Sequence, residues 1–151
     1  LETAGRLGVP QIIAPGASDM VDVQTWAPLP ERYRGRPYHA HNRLIASVTT
    51  TSEERRELAR FVANKVNAAK GPTAFLLPLQ GIHAWDAPGQ PLHDPQGHQV
   101  FIDEYKQLIE TPVDLRVLDM HINDRAFTDV ALSIFDNWVE AGLIPPGATE
   151  Q

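Results

Sequence analysis

Apolar residues fall into a few short runs and periodic stretches whose order predicts the elements. Leu1 to Leu7 read as turns of a helix ended by Gly8, a residue suited to the left-handed C-terminal cap. The run Val9-Pro10-Gln11-Ile12-Ile13 is β-branched, lacks alternation and stops at Pro15-Gly16, as a buried parallel strand does. From Ala14 to about Asn42, Pro15, Pro28, Pro30 and Pro37 with Gly16 and Gly35 interrupt any helical period, which predicts a long irregular segment. Leu44 to Val48 reads as a short strand on an edge. Thr51 and Glu54 fit a capping box, and Leu58, Phe61, Val62, Lys65, Val66 and Ala69 then recur at helical spacing until Gly71-Pro72. Thr73 to Leu77 is a second apolar strand, ended by Pro78 and followed by a polar loop from Leu79 to about Gly97. Val100, Phe101, Tyr105, Leu108 and Ile109 mark another helix, and Leu115 to Met120 a third strand. Asn123 or Asp124 caps a last helix with an inner face of Phe127, Val130, Ala131, Ile134, Trp138 and Val139.

Strand and helix alternate, which predicts a single α/β domain over residues 1–151: a doubly wound, Rossmann-like parallel sheet with helices on both faces. Three strands are few for such a sheet. Either the segment near Leu44 joins them or strands outside the chain do. A first residue that is not Met, inside a helical pattern, adds the expectation that this is the carboxy-terminal part of a longer chain with an amino-terminal α/β domain.

Composition narrows the partners. Hydrophobic residues make up 42% and charged residues 21%, the range of ordinary globular chains. Thirteen basic against 19 acidic residues leave a net charge of −6, and the one basic cluster is Arg32, Arg34 and Arg36, so no nucleic-acid footprint is expected. Cysteine is absent, which removes disulfides, thiolate metal sites and cysteine nucleophiles and fits a cytoplasmic location. No apolar run is long enough for a membrane span.

In open α/β sheets ligands bind beyond the carboxyl ends of the strands. Three loops leave those ends, containing Gly16, Ser18 and Asp19, then Gln80 and Gly81, then His121, Asn123 and Asp124. Convergence of these loops on one crevice is the expectation. Gly16 lets backbone approach an anion and Ser18 can donate a hydrogen bond, so a phosphate or carboxylate is one candidate ligand; a plain strand-ending turn is the alternative. Asn123 or Asp124 can serve as no more than a helix cap, and His121 as a base or a hydrogen-bonding residue. His41 and Asn42, closing the irregular segment, and Asp86 in the polar loop complete the candidate set.

His83, Asp86, His93 and Asp94 are metal-ligand types, but their spacing matches no pattern such as H-E-x-x-H, and no metal site is assigned. No Walker A or dinucleotide Gly-rich pattern occurs, and Pro-Gly-Ala-Ser-Asp is not a nucleophile elbow. The residues therefore point first to a small-molecule-binding domain. An acid/base or metal-assisted enzyme acting on a carboxylate- or phosphate-bearing metabolite is the second reading. A homo-oligomerisation module using Trp26 to Tyr38 is the third.

Longer strings carry a resemblance. Gly8-Val9-Pro10-Gln11-Ile12-Ile13-Ala14-Pro15-Gly16 leading to Ser18-Asp19-Met20-Val21 resembles the carboxy-terminal domain of the tomato mosaic virus resistance protein family, which includes uncharacterised bacterial and fungal proteins. Pro30-Glu31-Arg32-Tyr33-Arg34-Gly35-Arg36, His39-Ala40-His41-Asn42, Asp86-Ala87-Pro88-Gly89-Gln90-Pro91, His93-Asp94-Pro95 and His121-Ile122-Asn123-Asp124 with Ala126-Phe127 agree with it in order. The resemblance implies a longer protein of two Rossmann-like domains, with ATP bound in the amino-terminal one and no cofactor in this part. It also implies a plant member that binds a viral replication protein, a role resting on surfaces outside this chain. Where that family often has Gly, Arg or Glu in the turn after the second strand, this chain has Leu79-Gln80-Gly81-Ile82-His83.

Overall fold

The computed structural model describes residues 1–144. In chain order the elements are α1 (Glu2–Leu7), β1 (Gln11–Ile13), β2 (Met20–Gln24), β3 (Tyr38–Ala40), β4 (Ile45–Thr49), α2 (Ser52–Asn67), β5 (Thr73–Pro78), α3 (Pro95–Leu108), β6 (Asp114–Leu118) and α4 (Arg125–Glu140), with one 3-10 turn at Glu31–Tyr33. They build two three-stranded sheets: a parallel one in the order β1-β5-β6, and an antiparallel one in the order β2-β4-β3.

The central strand β5 is buried at every position, which explains its unbroken apolar sequence. Its side chains alternate between two cores. Phe75 and Leu77 pack with Ala59, Val66, Phe101, Ile102 and Tyr105 of α2 and α3, whereas Ala74 and Leu76 pack with Phe127 and Ile134 of α4. Helices thus cover both faces of the parallel sheet, as the α/β alternation requires. Gly8 caps α1 at φ 74°, Thr51 and Glu54 form the reciprocal capping box of α2, and Asp94 accepts from Gly97 N–H at the start of α3 with Pro95 in its first turn.

Three expectations need correction. The segment from Ala14 to Asn42 is not irregular throughout, since it contains β2 and β3. Its prolines lie outside both strands, with Pro28 and Pro30 in the connection and Pro37 just before β3. The strand near Leu44 is no edge: β4 is the centre of the antiparallel sheet, flanked by β2 and β3, and Ala46 to Thr49 are buried there. It does not join the parallel sheet. On α2 the buried stripe is Arg55, Ala59, Ala63 and Val66, and Phe61 is 61% exposed. Leu58, Val62 and Val66 of the expected stripe do pack on the core, while Phe61 turns to solvent and Arg55, Ala59 and Ala63 join the buried face. Val139 of α4 is likewise exposed.

The arginine cluster is structural. Arg32 and Arg36 lie over the buried Tyr33 ring at 4.6 and 5.2 Å, Arg34 pairs with Glu31, and Arg36 forks onto Glu54 at 2.6 and 3.2 Å. The Arg36 contact and the capping bonds, working against partial burial, hold the Glu54 carboxyl below the usual carboxylate range. The segment before β3, the antiparallel sheet and α2 are joined there.

Phe75→Ala should lower unfolding free energy by about 3–5 kcal/mol through lost burial and the cavity left behind. Phe61→Ala should change it by less than about 0.5 kcal/mol, as surface positions do. Urea unfolding of both variants checks the buried place of Phe75 on β5 and the exposed place of Phe61 on α2.

Candidate functional site

The loops leaving the parallel strands meet, and three buried tethers hold them. The first is Arg55 in the opening turns of α2, with a side chain that is 0% exposed. Its Nε donates to Thr50 Oγ1 at 3.2 Å, and its Nη2 lies 3.0 Å from Asp94 Oδ2 and 3.6 Å from Asp19 Oδ2. Thr50 N–H and Oγ1–H both donate to the Asp19 carbonyl. One guanidinium thus links the β1 exit loop, the start of α2 and the N-terminus of α3. Space for it exists because residue 97 is glycine; a Cβ there would overlap the Arg55 guanidinium and the Asp94 carboxylate.

The second tether is Asp86, in the loop between β5 and α3. Its Oδ2 accepts from Ile82 N–H and His83 N–H, and its Oδ1 accepts from His121 Nε2 at 2.9 Å. Asn123 N–H donates to His121 Nδ1, which places the ring proton on Nε2, toward Asp86. Asp124 Oδ2 in turn accepts from His121 N–H at 2.8 Å. Gly81 sits against this pair at φ 132°, and a Cβ there would lie 2.5 Å from Asp86 Oδ1 and 2.7 Å from His121 Nε2. Glycine is required both for the backbone angle and for the approach.

The third tether is the pair Asp19 and His83. Trp85 N–H donates to His83 Nδ1, so Nε2 faces Asp19 Oδ1 at 3.2 Å. That approach lies off hydrogen-bond alignment, and both atoms are buried without an aligned partner. Burial pushes the Asp19 carboxyl up, but the His83 contact and the neighbouring Arg55 charge outweigh it and hold Asp19 below the usual carboxylate range.

Beside these tethers opens a cavity of about 390 Å³. Asp19, Gln80, Gly81 and Asp86 of the candidate set line it, together with Asp94, the cap of α3, and His98 within that helix, while Leu79, Pro88, Pro95 and Ile102 supply its apolar wall. His98 Nε2 faces the Pro78 carbonyl at 3.1 Å, and its Nδ1 is buried with no partner. Burial pushes the His98 pKa down.

Other candidates lie elsewhere. Ser18 Oγ donates to the Pro15 carbonyl, Ala17 N–H to the Ile82 carbonyl, and Gly16 packs near Ile122, so that turn braces the neighbouring loop. Asn42 Oδ1 accepts from Leu44 and Ile45 N–H, which makes it the turn residue between β3 and β4. His41 and His39 flank the Trp85 ring at 4.8 and 4.9 Å, outside the cavity. Asp124 precedes α4 without a side-chain bond into the helix, because its carboxylate holds His121. His83, Asp86, His93 and Asp94 do not gather: among the described residues no group of three or more such side chains could hold a metal ion.

Arg55 and the cavity role of His98 escape sequence reasoning, since a charged residue in a helix reads as solvated. The signal that finds Arg55 is its phase, four residues before Ala59 on the stripe of small buried residues.

Two predictions arise from this geometry. Gly81→Ala should destabilise the domain by about 1–3 kcal/mol, the cost of a strained backbone angle, with displacement of the His121 ring resonances; unfolding and histidine NMR spectra check it. Asp19 and His98 both have lowered pKa values in the fold, so the unfolded chain binds protons first and stability is lost on acidification. The His98 contribution is full above about pH 6.5 and declines below it; that of Asp19 is full above about pH 3.8 and is lost as pH falls through its lower folded value. His98→Gln should flatten the first decline in a pH series of unfolding curves, and Asp19→Asn the second.

Residues 1–139 match the model of the C-terminal domain of an uncharacterised protein family, UPF0261. A UPF0261 protein of Brucella melitensis biotype 1 is 49% identical over 147 residues, covering 97% of this chain and 35% of that protein. A UPF0261 protein of Clostridium tetani is 33% identical over 128 residues, 84% of this chain and 32% of that protein. The ToMV resistance protein Tm-1 of Solanum lycopersicum is 32% identical over 129 residues, 84% of this chain and 17% of that protein. The chain spans about a third of the length of the bacterial relatives, and with this match over nearly all of its length it belongs to the UPF0261 family as a C-terminal domain.

Proposed function

We propose that this domain binds a small organic molecule in the cavity between the β5 exit loop and the first turns of α3. The observation that carries the reading is a cavity of about 390 Å³ whose wall sets Asp19, Gln80, Asp86, Asp94 and His98 beside the apolar Leu79, Pro88, Pro95 and Ile102. The volume is within the range of small-molecule sites, roughly 300–1,000 Å³, and such sites combine an apolar lining with a few placed polar groups. Because Tm-1 aligns over 17% of its own length, the virus resistance in its name is not assigned to this chain.

One observation favours a second reading, acid/base chemistry on that molecule. His98, on the cavity wall, is kept unprotonated by burial, the form a general base needs.

A thermal-shift screen against a metabolite library tests the first reading, using the exposed cavity-lip residue Gln99 as control. At least one compound should raise the melting temperature of the chain and fail to do so in Gln99→Trp, where the new ring fills the opening. A library without responders, or responses unchanged in Gln99→Trp, would count against it. For the second reading, a responder incubated in D2O should exchange a carbon-bound proton, and His98→Gln should abolish the exchange; a responder recovered unlabelled removes the catalytic reading.

A further inference from the structure

The parallel sheet is open at β1, on the side of the molecule away from the cavity loops' next strand, β6. The bacterial relatives are about three times as long as this chain, which matches the C-terminal domain of their family. We infer that a strand from the portion preceding this domain in a protein of that length lies parallel to β1 along its free edge, with side chains filling an apolar groove between β1 and α4.

The first observation is topological. α1 stands on the α2 side of the sheet: Lys70 N–H donates to the Gly5 carbonyl at 2.9 Å, and Lys65 Nζ meets Glu2 Oε2 at 3.0 Å. On that face α2 and α3 cover Phe75 and Leu77, and they lead into β5 and β6 as the chain steps along the sheet from β1 to β5 to β6. Crossovers between parallel strands are right-handed almost without exception. A helix on the same face that leads into β1 therefore comes from a strand on the side of β1 away from β5, and α1 is that helix.

The edge itself is the second observation. Gln11 N–H donates to the Pro72 carbonyl at 2.9 Å, so the alternation of a strand turns the N–H and C=O of Ile12 away from β5, where no strand pairs with β1 among the described residues. Open edges are commonly guarded by charge, as β6 is by the paired Asp114 and Arg116; Gln11-Ile12-Ile13 carries none.

Third, α4 is apolar on more than the stripe it buries. Phe127 and Ile134 pack under the sheet, yet Leu132, Phe135 and Val139 repeat at helical spacing on the adjoining face and Leu143 continues them, all between 42% and 53% exposed. Beside them, Phe135, Trp138 and Ile144 face Val9, Pro10 and Ile12 across a groove of about 390 Å³ that has no charged residue in its lining. Because α4 lies under β1 and β5, a strand added beyond β1 comes to stand over the face that α4 leaves bare. A second copy related by a two-fold axis would instead pair β1 with itself antiparallel, and the crossover through α1 would still lack its strand.

The test uses the full-length protein with photoreactive benzoylphenylalanine in place of Phe135 and, as control, in place of the exposed Phe61. Irradiation should join position 135 to a peptide from the portion preceding Leu1 of the same molecule, identified by mass spectrometry, and position 61 should give no such product. If the protein substituted at 135 fails to fold, position 132 takes the probe. Cross-links to a second copy, to residues beyond Ile144, or to nothing would each overturn the assignment. In the unsubstituted protein, hydrogen exchange resolved to single amides should find Ile12 at least about ten-fold slower than in an unstructured peptide. Exchange at the peptide's rate would overturn the added strand.

Discussion

A guanidinium removed entirely from water is the constraint around which this domain is arranged. Arg55 has no exposed surface, and a charge so placed is tolerable only with opposite charges in reach. The chain supplies them from two distant places, Asp19 after β1 and Asp94 before α3, with Thr50 as a third partner. Meeting that requirement sets where the β1 exit loop and the start of α3 stand relative to α2. The cavity exists because those pieces are held apart at that separation, and Gly97 leaves the room that the guanidinium needs.

Asp86 performs the matching task on the other side. A carboxylate can accept about four hydrogen bonds, and this one accepts from two amides of its own loop and from His121 of the next. It therefore acts on the site chiefly through the shape it imposes. His121 is similar: one nitrogen faces Asp86, the other accepts from Asn123 N–H, and neither is left to meet a ligand. Asp19 and His98 line the cavity between these two anchored regions.

Much of this was legible from residues in order. The alternation of strand and helix, the capping box at Thr51 and Glu54, the Gly8 cap and the convergence of the strand-end loops follow from local rules that burial reinforces. That Asp19, Gln80, Gly81 and Asp86 line one cavity was readable because strand ends place loops together. What was not readable depends on pairing between distant segments. β2 is five residues with polar Asp22 and Gln24, and it becomes a strand only because β4 offers it a partner. His41 and Asn42 looked available for the crevice, but the turn between β3 and β4 engages Asn42 and the Trp85 ring engages His41. Arg55 carries no local sign of burial except its phase on the helix.

The buried Arg55 also bears on how the domain assembles. Docking α2 on the sheet before Asp19 and Asp94 arrive would bury a lone cation, and docking α3 without α2 would leave its small-residue contact face open. Partial assemblies are penalised by electrostatics as well as by lost apolar contact. The two crossover helices and the β1 exit loop are therefore coupled through one buried charge, so displacing any one of them removes a partner from the other two.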